Sequence, residues 1–217
     1  MRSLNAGDLL FILAAVRWTV LLSVLAFAGG AVVGLTVALM RTSDSRAARW
    51  AAIVYIRIFQ GTPLLLQLFL VFFGADMVGL SLGPWLSAVL GFSLNAGAFL
   101  GEIWRGSIQS IARGQTEAAR ALGLHYLPLM LRVVLPQALR IAIPPTVGFT
   151  VNLIKSTSLA SIIGFVELTR AGQMVNNATI RPFIVFGLVA AIYFAICWPL
   201  TIAAGRLERR LGLAYKR

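Results

Sequence analysis

The sequence is poor in most of what a soluble enzyme uses. It holds one cysteine, one histidine and seven acidic residues in 217. Cys197 sits in an apolar run beside Trp198, so it has no partner for a disulfide within the chain and no thiolate cluster for a metal. His125 lacks a neighbouring carboxylate or cysteine, which makes it a surface or docking-face residue and neither a metal ligand nor a base. No metal site and no catalytic residue is expected. Lysine is nearly as scarce, with only Lys155 and Lys216. A phosphate-binding P-loop needs Gly-Lys followed by Ser or Thr, and Ile154 precedes Lys155, so the chain has no P-loop with which to hold ATP.

What is abundant is apolar surface. Hydrophobic residues make up 59% of the chain and charged residues 12%, far more apolar area than one soluble core of this length can enclose. The formal net charge of +12 does not mark a nucleic-acid binder, because the basic residues lie between long apolar runs and form no stripe with interleaved aromatics. A membrane span takes about 20 mainly apolar residues, since helical rise must match the hydrocarbon layer and leave no backbone group unpaired. Five segments qualify: residues 18–40, 50–73, 85–103, 141–163 and 183–204. The apolar stretch from Leu9 to Val16 is an interfacial lead-in or an extension of the first helix. Ala26-Phe27-Ala28 offers small residues to a signal peptidase, but the run from Trp18 continues unbroken to Met40, which suits a span. The expected fold is all-α, a single helical membrane domain over residues 1–217 with about five spans.

Charge orients it. Arg41, Arg46 and Arg49 occupy the first connection; Arg105, Arg113, Arg120 and Arg132 the third; Arg206, Arg209, Arg210, Lys216 and Arg217 the tail. On the opposite side only Arg2, Arg170 and Arg181 stand clearly outside the apolar runs. Positive residues near span ends stay cytoplasmic, which predicts the N-terminus outside and the C-terminus inside. Five spans do not divide into the inverted halves of many secondary transporters.

The long connection over about 105–140 is more than threading requires. Thr116 can cap a short helix that opens with Glu117 at the positive end of its dipole, runs through Ala118, Ala119, Arg120 and Ala121, and stops at Gly123. A second helical segment can begin near Pro128, and Pro136 breaks the path into the fourth span. Three alanines keep the first helix slim enough to enter a groove on another protein.

These residues follow a known spacing: Glu117-Ala118-Ala119, three residues, Gly123, nine residues, Val133, one residue, Leu135-Pro136. The chain therefore resembles the permeases of ABC importers, whose EAA signature has this form, with Val133 where isoleucine is usual. Three further stretches resemble the polar amino acid branch of that family. They are Arg105-Gly106-Ser107-Ile108-Gln109-Ser110-Ile111 with Gly114-Gln115, Gly61-Thr62-Pro63-Leu64-Leu65-Leu66-Gln67, and Lys155-Ser156-Thr157-Ser158-Leu159 with Glu167-Leu168-Thr169. Gln60 departs from the arginine common before Gly-Thr-Pro.

The resemblance implies a multi-pass subunit of the bacterial inner membrane that transports and does not catalyse. It would pair with an identical or related permease subunit, dock its loop through Glu117, Ala118, Ala119 and Gly123 into a separate ATPase that holds ATP and magnesium, and receive amino acids from an extracytoplasmic binding protein. A carrier or channel that works without ATP is the alternative, though it leaves the loop spacing unexplained. An intramembrane enzyme would need a Ser and His pair or paired acids at membrane depth, and neither occurs.

Charges at membrane depth are costly, which draws attention to Arg57, Glu102 and Lys155. For Arg57 and Glu102, snorkelling or a Glu102–Arg105 pair suffices. Asn152, Lys155 and Ser156 fall within one turn of each other and either line a substrate path or stitch a dimer interface. Glu167 and Thr169 are expected at the outer mouth. Pro63 and Pro199 are expected to kink their helices.

Overall fold

The computed structural model describes residues 3–211, so Arg2, Lys216 and Arg217 of the orientation count lie outside the described residues. Within that range the chain forms nine α-helices with one π-turn and one 3-10 turn, and no strand. Four helices are long and apolar enough to cross a membrane, and a bent pair raises the number to five.

Helix α1, Ala6–Thr42, absorbs the Leu9–Val16 stretch and begins well before Trp18. Its start is a capping box: the Asn5 side chain accepts from the Asp8 N–H at 3.0 Å, and Asp8 accepts from the Asn5 N–H at 3.1 Å. At about 1.5 Å per residue, 37 residues outrun a hydrocarbon layer of about 30 Å. Trp18 marks an aromatic cluster with Trp85 and Phe165, ring centroids 4.9–6.5 Å apart, of the kind that settles at a membrane interface.

The second expected span is broken. Helix α2, Arg46–Gly61, and α3, Leu64–Met77, meet at 105°. Pro63 has no N–H and disfavours the helical region for the residue before it, and Thr62 is accordingly extended (φ −117°, ψ 146°). The carbonyls released by the break are recovered mainly by Gln67, with a longer bond of 3.4 Å from Asn95 Nδ2 to Phe59 O. Gln67 Nε2 donates to Phe59 O at 2.8 Å, Thr62 O at 3.0 Å and Thr62 Oγ1 at 2.9 Å, while Asn95 Nδ2 donates to Gln67 Oε1 at 2.9 Å. Backbone that breaks at membrane depth persists only where such partners exist.

Helix α4, Gly83–Gln109, lies closely along α1. A Cβ on Gly30 would stand 2.5 Å from Ala96 Cβ, and one on Gly97 would stand 2.5 Å from Val33 Cγ1, so this contact requires glycine on both sides. Phe92, Leu22, Leu68 and Leu153 form the core around it.

Helix α5, Arg113–Ala121, starts earlier than the sequence suggested. Thr116 is not its cap but lies inside the first turns, with Oγ1 donating back to Arg113 O at 2.7 Å, and Glu117 is mid-helix. Packing decides this, because Ala119 must meet Leu129, Val134, Ile108 and Ile111. Gly123 does end the helix, in the left-handed region at φ 76°, with Leu124 N–H donating to Ala119 O as in a Schellman turn.

A one-turn helix α6, Tyr126–Leu129, runs through a π-turn, Met130–Val134, into α7, Leu135–Ser156. Pro136 therefore does not break the path. A proline clashes with the carbonyl four residues back, here that of Arg132, and the widened turn holding Arg132 relieves the clash. One helical rod extends from Tyr126 through the 3-10 turn at Thr157–Ser161. Helix α8, Leu168–Thr179, and α9, Pro182–Arg210, complete the bundle.

Candidate functional site

A cavity of about 200 Å³ opens at the α2–α3 break. Gln60 reaches it from the end of α2, Thr62 from the break itself, Asn95 and Phe99 from α4, and Phe149, Asn152 and Ser156 from α7. The Phe99 and Phe149 rings stack with centroids 5.6 Å apart, making one apolar wall. The rest of its lining is largely uncharged amides and hydroxyls. Gln60 Nε2 donates to Ala98 O at 3.2 Å, which leaves its Oε1 as an acceptor, and Ser156 Oγ donates to Asn152 O at 2.9 Å.

Of the path residues expected together, the cavity takes Asn152 and Ser156, four apart on α7, and leaves Lys155 out. Lys155 is exposed on α7 outside the lining. Glu167 and Thr169 are elsewhere too. Glu167 is fully buried and caps α8, accepting from the N–H groups of Thr169 and Arg170 at 2.8 Å each and from Tyr193 OH at 2.9 Å. Thr169 Oγ1 lies 3.2 Å from the same Tyr193 hydroxyl, and Leu168 N–H donates to Thr19 Oγ1 of α1. Glu167 is thus not an open mouth residue but a strut joining α8 to α9. Burial raises its pKa against the opposing pull of those donors.

At the other end of the bundle, Glu117, Ala118 and Gly123 face outward while Ala119 is 4% exposed and packs inward. Leu122, Tyr126 and Leu127 beside them are 82%, 67% and 64% exposed. This apolar rim with a carboxylate at its edge presents a surface that the single chain leaves uncovered. Close by, Glu102 pairs with Arg105 within α4 and lies 4.0 Å from Arg41 Nε at the end of α1. Arg57 is exposed on α2.

Gln60 and Asn95 were not identifiable as site residues from sequence. Gln60 showed only as a motif departure. The one available signal for Asn95 was an amide inside the apolar run of α4.

A bundle with four or five helices able to cross a membrane, a polar cavity at a broken helix and an exposed short helix outside those spans fits the class of membrane transport proteins. The comparisons narrow the class to a family. Residues 30–213 match the family described as "Binding-protein-dependent transport system inner membrane component", and the chain belongs to it. It is 41% identical over 197 residues to the L-cystine transport system permease protein TcyB of Bacillus subtilis (strain 168), covering 90% of this chain and 84% of that protein. It is 37% identical over 199 residues to the glutamine transport system permease protein GlnP of Escherichia coli (strain K12), covering 91% of each. A solved chain described as "Crystal structure of an amino acid ABC transporter with histidines" superposes with a TM-score of 0.89 at 30% identity, covering 96% of this chain and 100% of that one.

Proposed function

We propose that this chain is the membrane-spanning subunit of an ATP-driven importer of amino acids in the bacterial cytoplasmic membrane, N-terminus outside and C-terminus inside. The observation that carries the reading is the continuous helical rod from Tyr126 to Ser161. One end of it adjoins the exposed α5 surface, and near the other end Asn152 and Ser156 line the cavity. A push on α5 is thereby linked mechanically to the cavity wall. Glu117, Ala118 and Gly123 contact the ATPase, Ala119 holds their helix in place, and ATP and magnesium stay on that partner.

Gln60, Thr62 and Asn152 are exposed in the single chain at a depth where lipid offers no hydrogen bond. A second permease subunit, identical or related, covers them. An extracytoplasmic binding protein delivers substrate near the aromatic cluster of Trp18, Trp85 and Phe165. The basic residues of the α1–α2 connection, of α5 and of the α9 end support the inward placement of the α5 end.

The test is to tag the chain, extract it gently from its native membrane and identify what co-purifies. A P-loop partner with hydrolysis coupled to amino acid uptake supports the proposal. A chain that purifies alone and carries flux after ATP depletion makes it a carrier instead.

A further inference from the structure

The elbow between α1 and α2 gathers more positive charge than the fold compensates. Arg41 lies in the last turn of α1, Arg46 and Arg49 open α2, and Arg105 stands near the end of α4. Packing brings them together. Arg49 Nη1 donates to Ser43 O at 2.6 Å, which folds the start of α2 back on the end of α1, and Arg41 Nε is 4.0 Å from Glu102 Oε2. The acids on these segments are Asp44, exposed in the connection, and Glu102. Four arginines against two acids leave the elbow positive.

Glu102 is already committed. Both of its oxygens accept from the Arg105 guanidinium, Oε2 from Nε at 2.9 Å. Arg41 Nε is left buried and without a hydrogen-bond partner among the described residues, while 22% of the Arg41 side chain remains exposed. The first turn of α2 holds no acid, so Arg46 and Arg49 stand unopposed at the positive end of its dipole. Orienting the chain in a membrane requires cations on this side; it does not require a guanidinium left short of an acceptor.

We infer that this elbow binds an anionic phospholipid, with the arginines on the headgroup phosphate and the exposed face of α2 along the acyl chains. Arg46, Trp50, Val54 and Ile58 recur every fourth residue and share that face. The last three are 64%, 45% and 53% exposed, while Ala52 and Ile56 on the other side of the helix are buried. Each part suits a part of a lipid. Guanidinium groups pair with phosphate oxygens in a bidentate fork, an exposed tryptophan settles at headgroup depth, and Val54 and Ile58 continue the stripe with apolar carbon. Arg57, exposed beside them, has the length to snorkel back toward the headgroup layer. Basic pockets between spans at a membrane surface recognise acidic headgroups by this chemistry. A free phosphate would meet the arginines and leave the stripe uncovered. The inference adds a lipid ligand to the transport reading and does not depend on it.

The experiment uses the full chain extracted in detergent with the subunits that accompany it, washed free of native lipid. Dioleoyl-phosphatidylglycerol, dioleoyl-phosphatidylcholine and inorganic phosphate are each titrated against the unfolding midpoint, and apparent dissociation constants are taken from the shifts. Phosphatidylglycerol is expected to bind at least about tenfold more tightly than phosphatidylcholine, with the preference shrinking as salt rises from about 0.05 to 0.5 M. Arg46→Gln combined with Arg49→Gln should cut that preference at least about fivefold, and Arg41→Gln alone, which leaves the Arg49 bond to Ser43 in place, about threefold. Arg206→Gln combined with Arg209→Gln, at the end of α9, should leave it within about twofold. Trp50→Ala should weaken both lipids alike. Ratios within one variant are insensitive to partial unfolding. Equal binding of the two lipids overturns the inference, and so does a preference unchanged in both elbow variants, which would place the lipid elsewhere. Inorganic phosphate reproducing the full shift without lipid would make this a site for free phosphate and overturn the lipid assignment.

Discussion

Glu167 is the most consequential single side chain outside the cavity, because three donors converge on a carboxyl that is fully buried. Replacing it with alanine removes the α8 cap and leaves the Tyr193 hydroxyl without its acceptor. The expected loss is about 1–3 kcal/mol, read as a lower unfolding midpoint of the detergent-solubilised protein. Its pH dependence has a definite sign. Burial lifts the folded pKa above the ordinary 4.5, so the folded state holds this proton more tightly than the unfolded state does. The corresponding stability is complete below about 4.5 and is lost as pH rises through the folded value. Glu167→Gln should flatten that decline in midpoint between pH 4 and 8, and an unaltered pH profile in the variant would show that Glu167 does not titrate there. Ile180 makes the opposite kind of residue. It ends α8 in the left-handed region at φ 52°, which costs a β-branched residue about 1–2 kcal/mol, and its side chain is 58% exposed. Ile180→Gly should therefore raise the unfolding midpoint, by the equivalent of about 1 kcal/mol.

Among the elements, the α2–α3 break shows most clearly how far sequence could lead. Gly61-Thr62-Pro63 announced a disturbance, and a kink at Pro63 was the expectation. The 105° turn and the cavity it opens depend on Gln67 and Asn95, which are 28 positions apart and meet only when α3 and α4 pack. No local rule encodes that meeting. Gln67→Leu would strand the Thr62 carbonyl, leave Phe59 O with only its 3.4 Å bond from Asn95 and remove the nearer acceptor of Asn95, so a loss of about 1–3 kcal/mol is expected, measured as a lower midpoint. Retention of the wild-type midpoint would mean that water satisfies the break. Two local expectations failed for a shared reason. Thr116 has the chemistry of a cap and Pro136 that of a breaker, yet the cluster of Ala119, Leu129 and Val134 extends α5 upstream and keeps the rod continuous through a π-turn. Tertiary burial outweighs a cap worth about 1 kcal/mol.

For the whole molecule, the all-α class and the number of apolar segments were legible because hydrocarbon thickness and backbone satisfaction constrain any spanning chain so strongly. The cavity was less so, since its lining comes from α2, α3, α4 and α7, and helical spacing on α7 alone could not say that Lys155 turns away while Asn152 and Ser156 turn in. The α5 signature was legible as a pattern, but its four residues divide between two placements. Ala119 is buried against Leu129 and Val134, whereas Glu117 faces outward. Ala119→Leu should overpack that cluster, cost about 1–3 kcal/mol, and lower the midpoint of the isolated chain. Glu117→Lys, on an exposed turn, should hold the midpoint within about 0.5 kcal/mol of wild type. In the reconstituted transporter the same variant should reduce ATP-coupled uptake at least about tenfold by reversing a charge at the docking surface. Stability and coupling measured side by side thus separate packing from docking. Full uptake in Glu117→Lys would show that the rod takes its push from some other part of this end of the bundle, and the exposed rim of Leu122, Tyr126 and Leu127 would be the next place to substitute.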